Sequence, residues 1–347
     1  MVRVAINGFG RIGRLFLRSV FERGFLGTKI DVAAVADVST DPDYLAYQLA
    51  YDSIHGRLRS PVSSRGDYFI IEGHEIKSVA AEQKPRLLPW HNLDIDIVIE
   101  STGIFTDGEK AAGHLEAGAR QVIISAPAQG DVKTLVMGVN HHEYDAGKDH
   151  VISSASCTTH CLALPIHVLL KEGIGIESGM VTAVNSYTGS QRVVDGISRR
   201  DRRSGRSAGT NIIPSQTNAA KLAWEIFPAL KERLSGISFR VPTADVSVVD
   251  LAFRSERNAS IELIDGLMKK ASQAYLKGYL EYCTEELVSS DFIHDAHSSI
   301  YDSSVSLQSN IKEEKRQFRI VAWYDNEWGY ANRLVDLVLY MAGKGLV

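Results

Sequence analysis

Three cysteines in 347 residues are too few, and odd in number, for a disulfide framework. Proline is sparse at 9 residues, and the 28 glycines follow no strict period, which excludes collagen-like and Pro-rich low-complexity chains. No apolar run reaches the roughly 18 residues of a membrane-spanning helix, so no membrane partner is expected. An excess of basic charge is missing too: 38 Lys and Arg stand against 42 Asp and Glu, a formal net charge of −4. No nucleic-acid partner is expected on that balance, although a local basic patch is compatible with it. Met1 to Val4 read as a strand, not as a basic segment before an apolar one. A secretory leader is therefore not expected, and a reducing cytoplasm is the expected compartment. What is present is ordinary globular material, 44% hydrophobic and 23% charged, with a length that suggests about two domains.

The first half alternates two periods. Val2 to Asn7 and Ile30 to Val38 are short runs rich in β-branched residues, and Arg11 to Glu22 between them has helical spacing at Ile12, Leu15, Phe16 and Val20. Ile95 to Glu100 and Gln121 to Ser125 repeat the strand pattern. Such alternation predicts βαβ units and a parallel sheet. Tyr68 to Ile71 and Glu75 to Val79, parted by Glu72, Gly73 and His74, predict an inserted hairpin. In the second half Gly179 to Ser186, Ser238 to Val241, Val246 to Phe253 and Gln317 to Tyr324 read as longer strands, with a helix over Ile264 to Leu280. That mixture predicts an α+β domain. The final segment, Ala331 to Met341, reads as an amphipathic helix. Between these parts lies an arginine-rich stretch, Ser198 to Ser207, with Arg199, Arg200, Arg202, Arg203 and Arg206, and Arg192 just upstream. A solvated ordered loop, an anion site and a subunit contact all fit it.

Gly8, Gly10 and Gly13 form G-x-G-x-x-G between the first strand and the first helix. In that setting one glycine serves the tight turn, one the approach of a pyrophosphate and one the helix–strand packing. The helix end adds N–H groups and a positive dipole end for the phosphates. Asp37 closes the second strand, where a carboxylate accepts hydrogen bonds from the ribose hydroxyls and repels a 2′-phosphate; NAD is thus favoured over NADP.

Ser156-Cys157-Thr158-Thr159-His160-Cys161 stands between a strand pattern, Val151 to Ser153, and a helix pattern, Leu162 to Leu170. Cys157 therefore falls near a helix N-terminus, where the dipole favours thiolate. A nucleophile, a buried inert thiol and a metal ligand with His160 and Cys161 are all open. No second cluster supplies further ligands at usual spacing, and no metal is expected.

With these residues on view, the chain resembles the phosphorylating glyceraldehyde-3-phosphate dehydrogenases over essentially its whole length. Ile6 to Arg14, Tyr51-Asp52-Ser53 with His55-Gly56, Glu100 to Gly103 and Ser154 to Thr159 carry the likeness. So do Asn211 to Pro214, Phe239 to Thr243 and Tyr324 to Glu327. The resemblance implies an α/β chain: a Rossmann-type doubly wound parallel sheet plus an α+β catalytic domain with a mixed or antiparallel sheet. It implies an NAD-binding domain at 1–155, a catalytic domain at 156–324 and a C-terminal helix at 325–347 that returns to the first. A cysteine attacks an aldehyde, hydride passes to NAD, and inorganic phosphate cleaves the thioester to an acyl phosphate. By the same likeness Cys157 is the nucleophile and Asn326 orients the nicotinamide amide. Arg11, Ile12, Ser125 and Tyr330 join the cofactor set. Ser156, Thr158, Thr188, Thr217 and Arg240 match two anion sites, for substrate phosphate and attacking phosphate, with Arg206 near the second. Glyceraldehyde 3-phosphate is the expected substrate, with erythrose 4-phosphate as the alternative. The loop 186–207 implies a homotetramer.

Three positions depart from the family pattern. The family's catalytic histidine is replaced by Asn185, which cannot accept a proton or form an imidazolium. The family's asparagine three residues after the cysteine is here His160, one helical turn along. The pair reads as an exchange, with His160 a substitute base; drift in a weakened enzyme and a retuned function are the alternatives, and an NAD-binding paralogue with a regulatory role is the competing class. Asn218 stands where the family has glycine, next to the phosphate-site threonine, where an added side chain reshapes that site.

Overall fold

The computed structural model describes residues 1–345 except 199, 200 and 218, and gives only the backbone at 219 and 220. By its internal contacts the chain divides into two compact units, Met1–Ser156 with Tyr330–Val347, and Cys157–Gly329. Asn218 and the first two arginines of the basic stretch lie outside the described residues.

The first unit runs β1 (Val2–Asn7), α1 (Arg11–Glu22), β2 (Ile30–Asp37) and α2 (Pro42–Ala50), then a small hairpin of β3 (Tyr51–Asp52) and β4 (Gly56–Arg57). It continues with β5 (Val62–Arg65), β6 (Tyr68–Ile71), β7 (His74–Ala80), β8 (Ile97–Glu100), α3 (Gly108–Ala111), α4 (Gly113–Glu116), β9 (Gln121–Ile124), β10 (Lys133–Thr134) and β11 (Val151–Ser153). Nine strands form one sheet in the order β10-β11-β9-β8-β1-β2-β7-β6-β5. Its strands from β10 to β7 pair in parallel, and β6 and β5 add an antiparallel edge. Parallel strands covered on both faces read as near-continuous apolar runs, and β1, β8 and β9 are buried almost throughout. The β6–β7 turn is shorter than its sequence suggests. Glu72 and Gly73 both take positive φ, +47° and +83°, which closes a two-residue hairpin and lets His74 begin the strand.

The chain leaves β1 toward β2 on one side, and β8 pairs on the other. Strand order therefore reverses at the carboxyl end of β1, the place where open α/β sheets bind ligands. A buried carboxylate fixes this point. Glu100, at the end of β8, is 2% exposed. It accepts from Asn7 Nδ2 at 2.6 Å and from Thr102 N at 2.9 Å, with Thr102 Oγ1 and His114 Nε2 completing the set. Trp90 Nε1 donates to His114 Nδ1 at 2.9 Å, so the proton of this imidazole sits on Nε2 and points at Glu100.

The second unit holds α5 (Cys157–Lys171), β12 (Ser178–Ser186), β13 (Ile213–Ser215), α6 (Ala219–Ile226), β14 (Leu234–Val241), β15 (Ser247–Arg254), α7 (Ile261–Gln273), β16 (Leu280–Cys283), β17 (Ser299–Asp302), β18 (Leu307–Gln308) and β19 (Gln317–Tyr324). Its sheet is mixed, in the order β13-β14-β12-β15-β19-β17-β16, with β18 also on β19. Helix α5 lies on β15, β17 and β19 and is buried along most of its length. Helix α7 is shorter than its pattern predicts. Ser260 caps its start, but Ala274 leaves helical angles, and the spacing of Leu276 and Leu280 only mimics a further turn. Val246 stays out of β15, held at φ +62°, a strained conformation for a β-branched residue. Last comes α8 (Trp328–Gly343), whose residues from Tyr330 belong to the first unit. There Asn332 Oδ1 accepts from Ser19 at 2.9 Å, and Asp336 pairs with Arg23 at 2.7 Å. Among the described residues no helix is long and apolar enough to cross a membrane.

Removing the Glu100 carboxylate strands several buried donors at once. Glu100→Ala is expected to cost about 3 kcal/mol or more of unfolding free energy by urea denaturation. A cost below about 1 kcal/mol would mean that water already satisfies these groups.

Candidate active site

In the first unit the three glycines have three distinct reasons to be glycine. Gly8 takes φ +97°, and a Cβ there would meet Thr102 N at 2.7 Å. At Gly13 a Cβ would lie 2.2 Å from the Gly8 carbonyl oxygen and 2.9 Å from Ile6 Cγ2. Around Gly10 nothing lies within 4 Å of that position. Gly10 therefore answers to no contact in the protein itself; the space beside it suits a group that arrives from outside. The first intrahelical bond of α1 runs from Arg14 N to Gly10 O at 3.0 Å, so the earlier N–H groups, with those of Ile12 and Gly13 among them, point out of the helix end. Asp37 reaches this loop: its Oδ2 accepts from Phe9 N at 2.6 Å. One carboxylate edge is thus fixed against the glycine loop at the end of β2, as recognition of a ribose diol requires. These observations fit a bound dinucleotide.

The remaining cofactor candidates are placed less directly. The Arg11 guanidinium turns to Asp52. Burial opposes ionisation of Asp52, but Arg11 and the N–H groups of His55 and Ile54 outweigh it and hold this carboxyl well below the usual range. Arg11 can therefore serve a phosphate only through its backbone. Ser125 closes β9, and its hydroxyl donates to Glu100 O at 3.0 Å. Tyr330 is buried, with its hydroxyl 3.4 Å from Ala155 O.

In the second unit Cys157 is the first residue of α5. Burial pushes the Cys157 thiol up, while the Arg240 charge and hydrogen bonds from Thr158 pull it down. The residue itself is half-buried at the head of the helix. Thr158 Oγ1 lies 2.8 Å from the hydroxyl of Tyr324, which donates to Asn185 Oδ1 at 2.7 Å. Asn185 Nδ2 in turn donates to Ser238 Oγ at 2.7 Å. Both ends of the amide are engaged, and neither can take a proton. His160 is 1% exposed, one turn along α5. Cys161, the third member of the possible ligand trio, is a core thiol directed at Ser299 Oγ and Ala322 O at 3.7 and 3.6 Å.

Asn326 is fixed as firmly. Its Oδ1 accepts from Ser186 Oγ at 2.8 Å and from Ser247 Oγ at 2.6 Å, which leaves the NH₂ group as the edge presented to a ligand. Arg240 NH1 donates to Ser186 O at 3.1 Å. The turn carrying Asn326 rests on Asp325, which accepts from His294 N, Glu327 N and Trp328 N at 2.6 to 2.9 Å. Next to it, Asp245 is held protonated by burial and by the charge of Asp325. The other anion candidates have partners of their own. Arg206 pairs with Asp195 at 3.0 Å, Thr188 meets Ser190 Oγ at 3.0 Å, and Thr217 packs against Gly236.

Domain models for the NAD-binding domain and the C-terminal domain of glyceraldehyde 3-phosphate dehydrogenase match residues 2–108 and 156–326. The chain belongs to the glyceraldehyde-3-phosphate dehydrogenase family. It is 55% identical to the glycosomal glyceraldehyde-3-phosphate dehydrogenase of Crithidia fasciculata, over 99% of this chain and 97% of the relative. It is 53% identical to glyceraldehyde-3-phosphate dehydrogenase of Treponema pallidum, over 99% and 100%. Its cofactor is NAD.

Reading the sequence missed the roles of Tyr324, Ser238 and Ser247. The signal was a polar residue at an inward position of an alternating strand: β19 buries Phe318, Ile320, Ala322 and Tyr324 in turn. Asp245 was missed because only the fold brings a second carboxyl beside it.

Two outcomes follow for this family member. Gly10→Ala is expected to leave thermal stability unchanged while NAD affinity falls at least about tenfold, because a methyl fills the phosphate space; Gly13→Ala is expected to lower both. Calorimetry and NAD titration check the pair. Asp245 binds its proton more tightly folded than unfolded, so its contribution is fully present below the unfolded value and is lost as pH rises through the folded one. Asp245→Asn is therefore expected to flatten the fall in melting temperature between pH 5 and pH 9.

Proposed function

We propose that the protein oxidises a phosphorylated aldehyde, glyceraldehyde 3-phosphate first among the candidates, by covalent catalysis at Cys157, with inorganic phosphate as the acyl acceptor. The observation that carries this reading is Cys157 at the head of α5 with the Arg240 charge beside it, in a chain that keeps Asn326 locked by two hydroxyls. The Cys157 sulfur bonds to the aldehyde carbon while the carbonyl π bond breaks and the thiol proton ends on the carbonyl oxygen, giving a thiohemiacetal. The glycine loop and Asp37 would hold NAD, and the Asn326 amide would orient its nicotinamide; NAD would supply the acceptor for the hydride of the thiohemiacetal carbon, whose hydroxyl proton leaves to the base. In the thioester that results, a phosphate oxygen bonds to the acyl carbon as the C–S bond breaks, and the sulfur leaves as thiolate. Ser156, Thr158, Thr188, Thr217, Arg206 and Arg240 are the groups proposed for the two phosphates. Hydroxyls and a forked guanidinium suit that task. Arg206 serves it only by giving up its ion pair with Asp195.

Asn185 takes no proton, so His160 is the imidazole proposed as base. An NAD-binding role with weak catalysis is the second reading, favoured by the closed hydrogen bonding of Asn185. Erythrose 4-phosphate is the alternative substrate. A homotetramer and a cytoplasmic setting belong to the same proposal, and the name of the Crithidia relative sets a glycosomal location beside the latter.

NADH formation with NAD, phosphate and glyceraldehyde 3-phosphate across pH 6 to 10 tests it. Turnover is expected, rising with pH, and abolished by Cys157→Ser. His160→Ala is expected to lower kcat by about 100-fold; an unchanged kcat removes the base role from His160. Absence of NADH with NAD bound favours the second reading.

A further inference from the structure

Glu100-Ser101-Thr102-Gly103 is one of the motifs that carry the family likeness, and the chemistry at Cys157 gives it no task. Its carboxylate is met by donors at both oxygens. Oε2 accepts from Asn7 Nδ2 at 2.6 Å and from His114 Nε2 at 3.0 Å. Oε1 accepts from Thr102 N at 2.9 Å and from the Thr102 hydroxyl. A carboxylate only accepts, so that hydroxyl gives its proton to Glu100 and turns a lone pair to Ile104 N at 3.0 Å. The carboxylate has about four acceptor sites, and four donors occupy them.

The segment on the Oε1 side closes on the glycine loop. Thr102 N is the atom that a Cβ on Gly8 would meet at 2.7 Å, and Ser101 Oγ donates to Gly8 O at 2.7 Å. Gly8 O in turn bounds Gly13. Where residues 101 and 102 stand therefore decides where the loop around Gly10 stands. On the Oε2 side one donor comes from a different element. His114 is fully buried on α4, and Trp90 Nε1, a donor that cannot accept, occupies its Nδ1 at 2.9 Å. Trp90 is fully buried as well, in a core cluster with Leu88, Ile95 and Ala119. The indole thus selects the tautomer that gives Glu100 its fourth donor. The other tautomer turns a lone pair to Oε2, and the carboxylate must then swing off Thr102 to escape it.

We infer that His114 is a positioning residue for NAD, acting through Glu100 and Thr102 on the glycine loop, and that Trp90 holds its imidazole in the tautomer that does so. The inference rests on NAD as the cofactor and is independent of the reaction at Cys157.

The two imidazole bonds can be removed one at a time. In His114→Gln the amide nitrogen takes the place of Nε2 and keeps a donor toward Glu100, while the acceptor for Trp90 is lost. In His114→Asn the amide oxygen takes the place of Nδ1 and keeps the acceptor for Trp90, while nothing reaches Glu100. Each change removes one buried hydrogen bond, so the two melting temperatures are expected to fall alike. NAD affinity separates them. Calorimetric titration of the full-length protein is expected to give a Kd within about threefold of wild type for His114→Gln and about tenfold higher for His114→Asn, the worth of one hydrogen bond to a charged group. Hydrogen exchange at the amides of Ser101, Thr102 and Ile104, followed without NAD, is expected to be slow in wild type and His114→Gln and faster in His114→Asn. Kd values that are equal in the two variants, or ordered the other way, overturn the inference, because the imidazole then serves only to anchor α4. So does fast exchange at Thr102 in the wild type, a measurement that requires no variant to fold. Turnover is not read, so a protein that binds NAD and forms no NADH removes the dehydrogenase proposal and leaves this one to be decided by the Kd values.

Discussion

The first unit is organised around one buried carboxylate. Glu100 is out of water and has no guanidinium or ammonium partner among its hydrogen bonds; it is stabilised by neutral donors from Asn7, Thr102 and His114. A buried carboxylate is tolerated only when its lone pairs are met in this way. Because those donors come from the ends of β1 and β8 and from α4, satisfying the charge also fixes where the two central strands stop. The glycine loop starts at that fixed end. Its shape, the reach of Asp37 and the outward N–H groups of α1 all follow from it.

The second unit solves a related problem without a charge at its centre. Neutral donors and acceptors link Ser238, Asn185, Tyr324 and Thr158 in series, and Ser186, Ser247 and Asn326 form a parallel set. Asn185 fits such a network because an amide has one donor edge and one acceptor edge. An imidazole at that position has a protonation state to adjust; an amide has none. Asn185 thus joins its donor edge to Ser238 and its acceptor edge to Tyr324. Asp325 holds the turn that carries Asn326, and its charge together with burial raises the neighbouring Asp245 carboxyl.

Much of the first unit was legible because its signals are local. The period change from β1 to α1, the three glycines and Asp37 are all readable within 37 residues, and the strand and helix bounds of β1 and α1 came out as read. The second unit was legible in outline only. Leu276 and Leu280 keep helical spacing after α7 has ended, so periodicity overruns the true stop at Ala274. Short strands such as Ser299–Asp302 are buried on every residue and carry no alternation to detect. For the site, Cys157 was visible from its flanking pattern, but its protonation was not. The dipole of α5 is local and can be read in sequence. The Arg240 charge that acts on the thiol comes from β14, far along the chain, and no local pattern announces it. Tyr324 was quoted as part of a motif and given no role, because its partners Thr158 and Asn185 are 166 and 139 residues distant.

The glycine loop also constrains how this lineage can change. The carbonyl oxygen of Gly8 occupies the place where a side chain on Gly13 would begin, and Gly8 itself is closed in by Thr102. These two positions are interlocked, so neither can drift while the other stays. Gly10 is outside the lock. A descendant that abandoned its cofactor but kept its architecture would thus record the loss at Gly10 first, with Gly8 and Gly13 preserved as relics of geometry. In such a chain the fingerprint would survive by two glycines out of three, and the missing one would date the change of use.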